Sequence, residues 1–364
     1  MRAVVLVGGF GTRLRPLTLT TPKQLLPVVE VTMIERVVGH LVEHGVDDVV
    51  LSMGYLPQAF HEAFPDGRCA GAALHYAVEP EPLDTAGAIR FAARHAGIDE
   101  RFLVVNGDVL TDLDVGALVG LHDARGAEGT IALTKVDDPS AFGVVPTDED
   151  GRVVAFVEKP PRDEAPTDLV NAGTYVLEPS VLARIDDGRK VSVERETFPA
   201  MVADRSLFAM ASPAYWLDAG RPDTYLTANL DLLDGGIRPG PPHPSATARE
   251  PGVWFVGRPI VDGGLEAPVL IGDAALVASG ATIERSVVGG GARVHRGAAV
   301  RRSVLLPGSV VHDGALVVDS VVGPGAVVGA GARLGGHSVV AGGCVVPDGA
   351  VLDGCRVPEG PTAH

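Results

Sequence analysis

The sequence has few cysteines and no long apolar run. Its 364 residues include 3 cysteines, Cys69, Cys344 and Cys355, and none of them forms a CxxC pair. This pattern excludes a disulfide framework and a cysteine-based zinc site, and it is typical of a protein of the reducing cytoplasm. No run of about 18 apolar residues is present, so we expect no membrane-spanning helix. The apolar start of the chain gives way to glycines too early for a signal peptide, and none is expected.

Basic residues are also scarce. The chain has 30 Lys and Arg against 46 Asp and Glu, a formal net charge of -16. This surplus of negative charge argues against a nucleic acid or an anionic membrane as partner. A small phosphorylated ligand needs only a local group of cations and stays compatible with it. The length suffices for two or three domains, and 46% hydrophobic residues allow a sizeable core.

Two common nucleotide-binding motifs are missing. The chain has no GxxxxGK[ST] string, and an arginine stands near the place where GxGxxG would have its third glycine. Instead, Gly8, Gly9 and Gly11 follow the apolar run 3–7, and Arg13 and Lys23 come soon after. Glycines let backbone N–H groups approach a phosphate, and a guanidinium matches phosphate oxygens. The loop therefore predicts a phosphate site with two cations.

The first 235 residues alternate strand-like and helix-like segments. Strands are predicted at 3–7, 49–51, 72–78, 102–105 and 130–136, and helices at 33–42, 86–95 and 115–122. A hairpin is expected where residues 143–146 and 153–157 flank the turn 148–151. This order predicts an α/β domain with a Rossmann-like, mixed but mostly parallel sheet, whose ligands bind at the carboxyl ends of the strands.

The second part of the chain repeats itself with a period of 17 residues. Ser286, Ser303 and Ser320 fall at equivalent places, and glycines recur in the same register. Such a period predicts a solenoid, and its small and β-branched residues resemble the hexapeptide-repeat left-handed β-helix. A proline-rich stretch precedes it. We therefore predict a catalytic domain at 1–235, a linker at 236–252 and a left-handed β-helix at 253–364.

Five motifs, in order, resemble those of the sugar-1-phosphate nucleotidyltransferases, or nucleotide-sugar pyrophosphorylases. The first is the loop at 8–16 followed by Pro22-Lys23. The others are Asn106-Gly107-Asp108, Val157-Glu158-Lys159-Pro160, Asn171-Ala172-Gly173-Thr174-Tyr175 and Trp216-Leu217-Asp218-Ala219-Gly220. The resemblance runs through the whole chain. With the β-helix tail, the sequence is most similar to the mannose-1-phosphate guanylyltransferase (GDP-mannose pyrophosphorylase) subgroup, with a GT-A-like catalytic domain.

The resemblance implies roles for particular residues. Asp108 and Asp218 would hold Mg²⁺, Arg13 the pyrophosphate leaving group, Lys23 the nucleotide phosphates and Lys159 the sugar phosphate. Nucleotide-binding residues would be Leu6, Gly8, Gly9, Gly11, Thr12, Arg13, Lys23, Asp84, Thr85, Gly87 and Asp108. Sugar-phosphate-binding residues would be Gly107, Gly143, Glu158, Lys159, Asn171 and Gly173.

The implied reaction joins GTP and mannose-1-phosphate to give GDP-mannose and pyrophosphate. Both reactants are anionic and repel each other, so the reaction needs cationic side chains and Mg²⁺ to offset this repulsion. Glucose-1-phosphate or a cyclitol phosphate with another nucleotide (dTTP, UTP or ATP) remains an alternative, as do an added acetyltransferase activity in the β-helix and a non-enzymatic regulatory subunit. We expect a cytoplasmic homo-oligomer assembled through or alongside the β-helix, or a β-helix packed on the catalytic domain.

Two segments depart from the family pattern. Where the family has leucine-glycine-threonine-alanine-glycine, this chain has Leu83-Asp84-Thr85-Ala86-Gly87. Asp84 is expected either to cap the helix that follows or to contact the base or ribose. Where the family has Lys-Pro before Met-Ile, this chain has Val31-Thr32 after Glu30. That turn is therefore expected to differ.

Overall fold

The computed structural model describes residues 1–237 and 240–358. Part of the predicted linker, residues 238–239, and the last six residues of the predicted β-helix domain lie outside the described residues. The chain forms two compact units, residues 1–9 with 34–216, and residues 10–33 with 217–364. The segment that carries Arg13 and Lys23 thus belongs to the same unit as the repeats.

The first unit is built on a ten-stranded mixed sheet. Its strands are Arg2–Leu6, Asp48–Met53, Arg68–Cys69, Ala72–Val78, Phe102–Asn106, Gly129–Lys135, Gly143–Val144, Val157–Glu158, Leu169–Leu177 and Leu207–Ala211. Strand Val109–Thr111 lies outside this sheet. The first unit ends at Trp216, which is the first residue of strand Trp216–Asp218. The helices are Met33–Glu43, Pro57–Ala63, Asp84–His95, Val115–Arg125 and Phe198–Ala203, with a π-helix at Val193–Thr197 and 3₁₀ turns at Pro139–Ala141, Arg162–Glu164 and Pro179–Arg184.

The centre of this sheet confirms the predicted α/β fold. Strand Arg2–Leu6 pairs in parallel with Phe102–Asn106 and with Asp48–Met53, which pairs in parallel with Ala72–Val78. The middle residues of the three central strands, 3–5, 49–53 and 102–105, are buried and almost all apolar, as strands covered on both faces require. Strand Leu169–Leu177 then runs antiparallel to Phe102–Asn106, which makes the sheet mixed.

The predicted hairpin is present with a shorter second strand. Gly143 and Val144 pair antiparallel with Glu158 and Val157, and only a single bridge joins Thr147 to residue 153. The Gly151 N–H donates to the Asp148 carbonyl at 3.0 Å and closes the predicted turn.

The second unit contains the β-helix together with helix Pro222–Leu233, the strands Pro27–Val28 and Val31–Thr32, and 3₁₀ turns at Thr12–Leu14, Leu17–Leu19 and Lys23–Leu25. Successive coils pair in parallel through three sheets. The first sheet has strands Ala246–Glu250, Val253–Val256, Val269–Ile271, Val287–Val288, Val304–Leu305, Val321–Val322, Val339–Val340 and Arg356–Val357; the second has Ile260–Val261, Leu276–Val277, Arg293–Val294, Val310–Val311, Val327–Val328 and Val345–Val346; the third has Gly264–Glu266, Thr282–Glu284, Ala299–Arg301, Leu316–Val318, Arg333–Gly335 and Val351–Asp353.

This architecture is consistent with the left-handed β-helix predicted from the repeat. The aligned serines form a buried ladder: the Ser303 N–H donates to Oγ of Ser286 at 3.0 Å, and the Ser320 N–H donates to Oγ of Ser303 at 3.1 Å. The predicted linker contains an ordered strand, Ala246–Glu250, which pairs antiparallel with Val253–Val256. The domain boundaries themselves stay a prediction. None of the helices in the described part of the chain has the length and apolarity needed to cross a membrane.

Candidate active site

The carboxyl ends of three parallel strands meet at one edge of the first unit. Strand Arg2–Leu6 lies between Asp48–Met53 and Phe102–Asn106, and Leu6 pairs with Asn106. Ligands of open α/β sheets bind at this edge, because the loops that follow the strands come together there.

The first two glycines of the loop and the Asn-Gly-Asp motif lie next to each other at this edge, each where its strand ends. The Gly107 N–H donates to the Leu6 carbonyl at 3.1 Å. A Cβ on Gly107 would lie 2.8 Å from a Val7 methyl group, so only glycine fits. Gly9 is exposed, and Gly8 and Asp108 are half-buried. The two adjacent strands therefore position predicted nucleotide-binding glycines and the predicted metal ligand Asp108 at the same edge of the sheet.

Glu79 lies beside Gly8, although the sequence motifs did not predict it as a site residue. A Cβ on Gly8 would come within 3.4 Å of Glu79 Oε1, and that oxygen accepts a hydrogen bond from the Ser52 hydroxyl at 3.1 Å. Oε2 accepts the Leu83 N–H at 3.1 Å. Burial raises the pKa of Glu79, although these two hydrogen bonds act in the opposite direction. The position of Glu79 directly after strand Ala72–Val78 was the signal that pointed to it.

The predicted residues Gly143, Glu158 and Lys159 come together at the hairpin. Gly143 pairs with Glu158, and a Cβ on Gly143 would lie 2.7 Å from the Phe156 ring. The Lys159 Nζ lies 3.2 Å from Oε1 of Glu158, and the lysine side chain is exposed. Lys159 has a φ of 50°, and its N–H donates to the Phe142 carbonyl at 3.0 Å. The exposed ammonium and its neighbouring carboxylate suit a phosphorylated polyol.

Asn171 and Gly173 form a bulge in the neighbouring strand. The register of this strand shifts between Asn171 and Tyr175. Oδ1 of Asn171 accepts the Gly173 N–H at 2.9 Å, and its Nδ2 donates to the Tyr175 hydroxyl at 2.8 Å. Gly173 has a φ of 74°, and a Cβ there would overlap the side chain of Asn106. The bulge thus brings the predicted sugar residues next to the Asn-Gly-Asp motif.

The segment that departs from the family pattern begins a helix in an unexpected way. Helix Asp84–His95 starts at Asp84 itself, which has a φ of 61°. The expected side-chain cap is wrong, because within the described residues no side-chain cap hydrogen bond is made at the start of this helix. The Asp84 carboxylate instead accepts the adjacent Thr85 N–H, at 2.8 Å. The Thr85 hydroxyl donates to Glu194 at 2.7 Å and accepts the Val193 N–H at 2.8 Å.

The N–H groups of the next two residues are also used within the fold. Ala86 and Gly87 both donate to the Val191 carbonyl, at 2.9 and 3.2 Å. Thr85 and Gly87 therefore fasten the helix to segment 191–194, and their contact with a nucleotide stays a prediction. Asp84 is exposed, so its contact with a base or ribose also stays open.

In the second unit, Arg13 faces Asp218. The Arg13 guanidinium lies 3.6 Å from Oδ2 of Asp218, and 57% of the arginine side chain is exposed. Oδ1 of Asp218 accepts the Gly220 N–H at 2.8 Å, which fixes the orientation of the carboxylate. The structure thus pairs the predicted leaving-group cation with a predicted metal ligand.

The loop that presents Arg13 is bent by a glycine. Gly11 has a φ of 60°, and its carbonyl accepts the Thr18 hydroxyl at 2.7 Å. Thr12 and Arg13 follow in the 3₁₀ turn Thr12–Leu14, and Lys23 begins the turn Lys23–Leu25. These contacts order the backbone that carries Arg13, while most of the arginine side chain is exposed.

A metal site with three protein ligands is not present within residues 1–237 and 240–358. No group of three or more His, Cys, Asp or Glu side chains there is placed to hold a metal ion. Magnesium needs fewer protein ligands, because phosphate oxygens and water complete its shell. Asp108 and Asp218 belong to different units. Their carboxylates are the donor type that Mg²⁺ prefers.

A mixed sheet with a glycine loop after one of its parallel strands is typical of the α/β nucleotide-binding class. The chain belongs to the nucleotidyl transferase family, whose model matches residues 2–235, and the model of the GMPPB C-terminal domain matches residues 265–361.

Curated relatives make the comparison more specific. The mannose-1-phosphate guanylyltransferase of Mycobacterium tuberculosis is 40% identical over 299 residues, 79% of this chain and 82% of that protein. The mannose-1-phosphate guanyltransferase of Hypocrea jecorina is 42% identical over 66% of each chain. Among solved structures, HddC from Yersinia pseudotuberculosis complexed with GMP-PN is 27% identical with a TM-score of 0.53, over 63% of this chain and 97% of that one.

Proposed function

We propose that this protein is a mannose-1-phosphate guanylyltransferase that makes GDP-mannose from GTP and mannose-1-phosphate in a magnesium-dependent reaction. The observation that carries the proposal is the 40% identity over 82% of the Mycobacterium tuberculosis enzyme. The charged residues predicted for the reaction, Arg13, Lys23, Asp108, Lys159 and Asp218, support the proposal. A phosphate oxygen of mannose-1-phosphate attacks the α-phosphorus of GTP, the bond to the β-phosphate oxygen breaks, and pyrophosphate leaves.

Each charged residue has a part in this reaction. Arg13 holds the pyrophosphate leaving group, Lys23 the nucleotide phosphates and Lys159 the sugar phosphate, while Glu158 accepts hydrogen bonds from sugar hydroxyls. These cations reduce the repulsion between two anionic reactants. Asp108 and Asp218 would hold the magnesium ion. When bound, this ion neutralises charge that develops on the phosphate oxygens.

The experiment that tests the proposal measures pyrophosphate release. The protein is incubated with Mg²⁺, one of GTP, ATP, UTP, dTTP and CTP, and a panel of sugar and cyclitol phosphates. We expect release with GTP and mannose-1-phosphate, and loss of release when EDTA removes the metal. Release only with dTTP and glucose-1-phosphate would contradict GTP and mannose-1-phosphate as the substrates. No release with any pair would contradict an enzymatic function and favour a regulatory subunit.

Glu79 supports guanine as the base. Guanine presents two adjacent donors, N1–H and the N2 amino group, and a carboxylate accepts both. Thymine and uracil present one donor between two carbonyl oxygens, which a carboxylate repels. The position of Glu79 beside Gly8 places this carboxylate next to a predicted nucleotide-binding residue.

We predict that Glu79→Gln raises the KM for GTP about tenfold or more, since a hydrogen bond to a charged group contributes about 1.5–3 kcal/mol. The KM for UTP should change less, because the substitution removes the repulsion between the Glu79 carboxylate and the carbonyl oxygens of uracil. Steady-state kinetics with both nucleotides measure the ratio. Glu81→Gln is the control, because Glu81 is exposed two residues further on. An unchanged GTP-to-UTP preference would remove Glu79 from base selection.

We further propose that the enzyme is a cytoplasmic homo-oligomer. The free cysteines Cys69, Cys344 and Cys355 support a reducing compartment. The second sheet of the β-helix stacks apolar side chains in register on its outer side, which supports self-association. They are Ile260, Leu276, Val310, Val327 and Val345, with Arg293 between Leu276 and Val310.

Charges on this outer stripe should dissociate the oligomer. We predict that the double variant Val327→Lys, Val345→Lys is monomeric by light scattering and keeps the circular dichroism of the parent. Lysines on the stripe would have to be desolvated in an interface. Val351→Lys is the control, since Val351 is exposed on the third sheet. An unchanged mass for the double variant would place assembly elsewhere.

A further inference from the structure

The turn at Val29 and Glu30 departs from the family pattern and is strained. Strands Pro27–Val28 and Val31–Thr32 pair as a hairpin, and Val29 and Glu30 have φ values of 50° and 61°. A tight turn with two positive φ values favours Asn-Gly, and a β-branched residue there is costly. Such strain persists only where the surrounding structure holds the turn in place.

Helix Pro222–Leu233 holds one side of the turn. The Val29 N–H donates to Oδ1 of Asn229 at 2.8 Å, and both residues are buried. The Tyr225 hydroxyl donates to the Pro27 carbonyl, and Asn229 in turn donates to the Tyr225 carbonyl at 2.8 Å. These partners fix the backbone of the hairpin but leave the Glu30 side chain to other contacts.

The β-helix holds the other side through Glu30. Its carboxylate Oε1 accepts a hydrogen bond from the Gly290 N–H. A Cβ on Gly272 would overlap Oε2, and a Cβ on Gly290 would lie 3.3 Å from Oε1. Neither glycine has a positive φ, so backbone conformation does not require them. The carboxylate leaves little room for a side chain at either position, and at Gly272 the backbone nitrogen of Gly290, 2.5 Å from a Cβ there, excludes one as well. We call this place the glycine notch, formed by Gly272 and Gly290.

The repeat shows that the N–H donor at Gly290 is a specific feature of its coil. At the period of 17, Gly290 is equivalent to Pro307 and Pro324 in the next two coils. Proline fits this position of the coil but has no N–H to donate. The coil that meets Glu30 therefore has a donor where the two following coils have none.

The hairpin is continuous with the segment that carries the phosphate-binding cations. The turn Lys23–Leu25 leads directly into strand Pro27–Val28, and the Met33 N–H donates back to the Leu26 carbonyl at 3.1 Å. Movement of the turn would therefore be transmitted to Lys23. A misplacement of 1 Å far from the reacting atoms can cost about a hundredfold in rate.

We propose that Glu30 is a positioning residue: by docking in the glycine notch, it ties the segment 10–33 to the β-helix and holds Lys23 and Arg13 in place for the nucleotide phosphates. The inference rests on the proposed function. It makes the β-helix a working part of the transferase, because the coil supplies the partner that holds the phosphate-binding segment.

The test compares Glu30→Ala, Glu30→Gln, Gly290→Pro and the double variant Glu30→Ala, Gly290→Pro in the full-length protein. We expect Glu30→Ala and Gly290→Pro each to lower kcat/KM about tenfold, mainly through the KM for GTP and for pyrophosphate. Glutamine keeps an oxygen that accepts the Gly290 N–H, so Glu30→Gln should restore most of the activity. The double variant should be no worse than either single variant, since both remove the same contact.

Hydrogen exchange of the backbone amides of residues 23–33 gives a readout that needs no activity. It should be faster in Glu30→Ala and Gly290→Pro and close to the parent in Glu30→Gln. Matched controls are Glu266→Ala, an exposed carboxylate of the β-helix, and Pro307→Gly, which adds an N–H in the next coil. Both should leave exchange and KM unchanged.

Three results would overturn the inference: exchange that does not change in Glu30→Ala, additive losses in the double variant, or faster exchange with an unchanged KM for GTP. A parent protein without transferase activity would refute the proposed function. The exchange data would then still decide whether Glu30 holds the segment.

Discussion

Replacing Asp218 by asparagine is expected to lower the turnover of GTP and mannose-1-phosphate by about 10²- to 10³-fold, the loss typical of removing one group that stabilises charge in the transition state. Asparagine keeps the oxygen that accepts the Gly220 N–H, so the local turn should survive. It removes the negative charge that faces Arg13 and the carboxylate that Mg²⁺ prefers. Pyrophosphate release and circular dichroism measure the two effects.

The matched control is Asp223→Asn. Asp223 is half-exposed and paired with Arg221 within the same unit, and its loss should leave turnover near that of the parent. Asp108→Asn should behave like Asp218→Asn if both residues hold the metal. Near-normal turnover in either aspartate variant, with the fold intact, would remove that residue from the metal site.

The repeat and the parallel strands were predictable because their signals are local. A buried parallel strand is a short apolar run, and a coil repeats the same small and β-branched residues every 17 positions. The serine ladder follows directly, since Ser286, Ser303 and Ser320 occupy one position in successive coils. Strand Ala246–Glu250 was not predictable, because its partner, rather than its own composition, places it in the sheet.

The beginning of helix Asp84–His95 illustrates why part of the candidate site was not predictable. An aspartate before a helical pattern ordinarily caps the first turn. Here residues 191 and 193, about 100 positions further along the chain, occupy the groups at the start of the helix. A tertiary partner of this kind replaces a side-chain cap and leaves no trace in the local sequence. Glu79 is a partial case: its position directly after strand Ala72–Val78 indicated the ligand-binding edge, but its proximity to Gly8 depends on the fold.

Replacing Arg13 should separate the leaving-group role from a general role in binding. The Arg13 guanidinium is largely exposed and oriented toward Asp218, and its planar fork can hold two oxygens of a phosphate at once. Lysine offers only a point charge. We therefore predict that Arg13→Lys loses about tenfold in kcat and Arg13→Met about 10²- to 10³-fold.

The reverse reaction, GDP-mannose with pyrophosphate, gives the decisive measurement. Arg13→Lys should raise the KM for pyrophosphate while the KM for GDP-mannose stays near that of the parent, because in the proposed reaction this cation holds the pyrophosphate leaving group. Arg258→Met, a change at an exposed arginine of the same unit, should alter neither constant. A raised KM for GDP-mannose with an unchanged KM for pyrophosphate would assign Arg13 to the nucleotide-sugar. The expulsion of pyrophosphate would then depend on Lys23, the other cation that the sequence places close to the glycine loop.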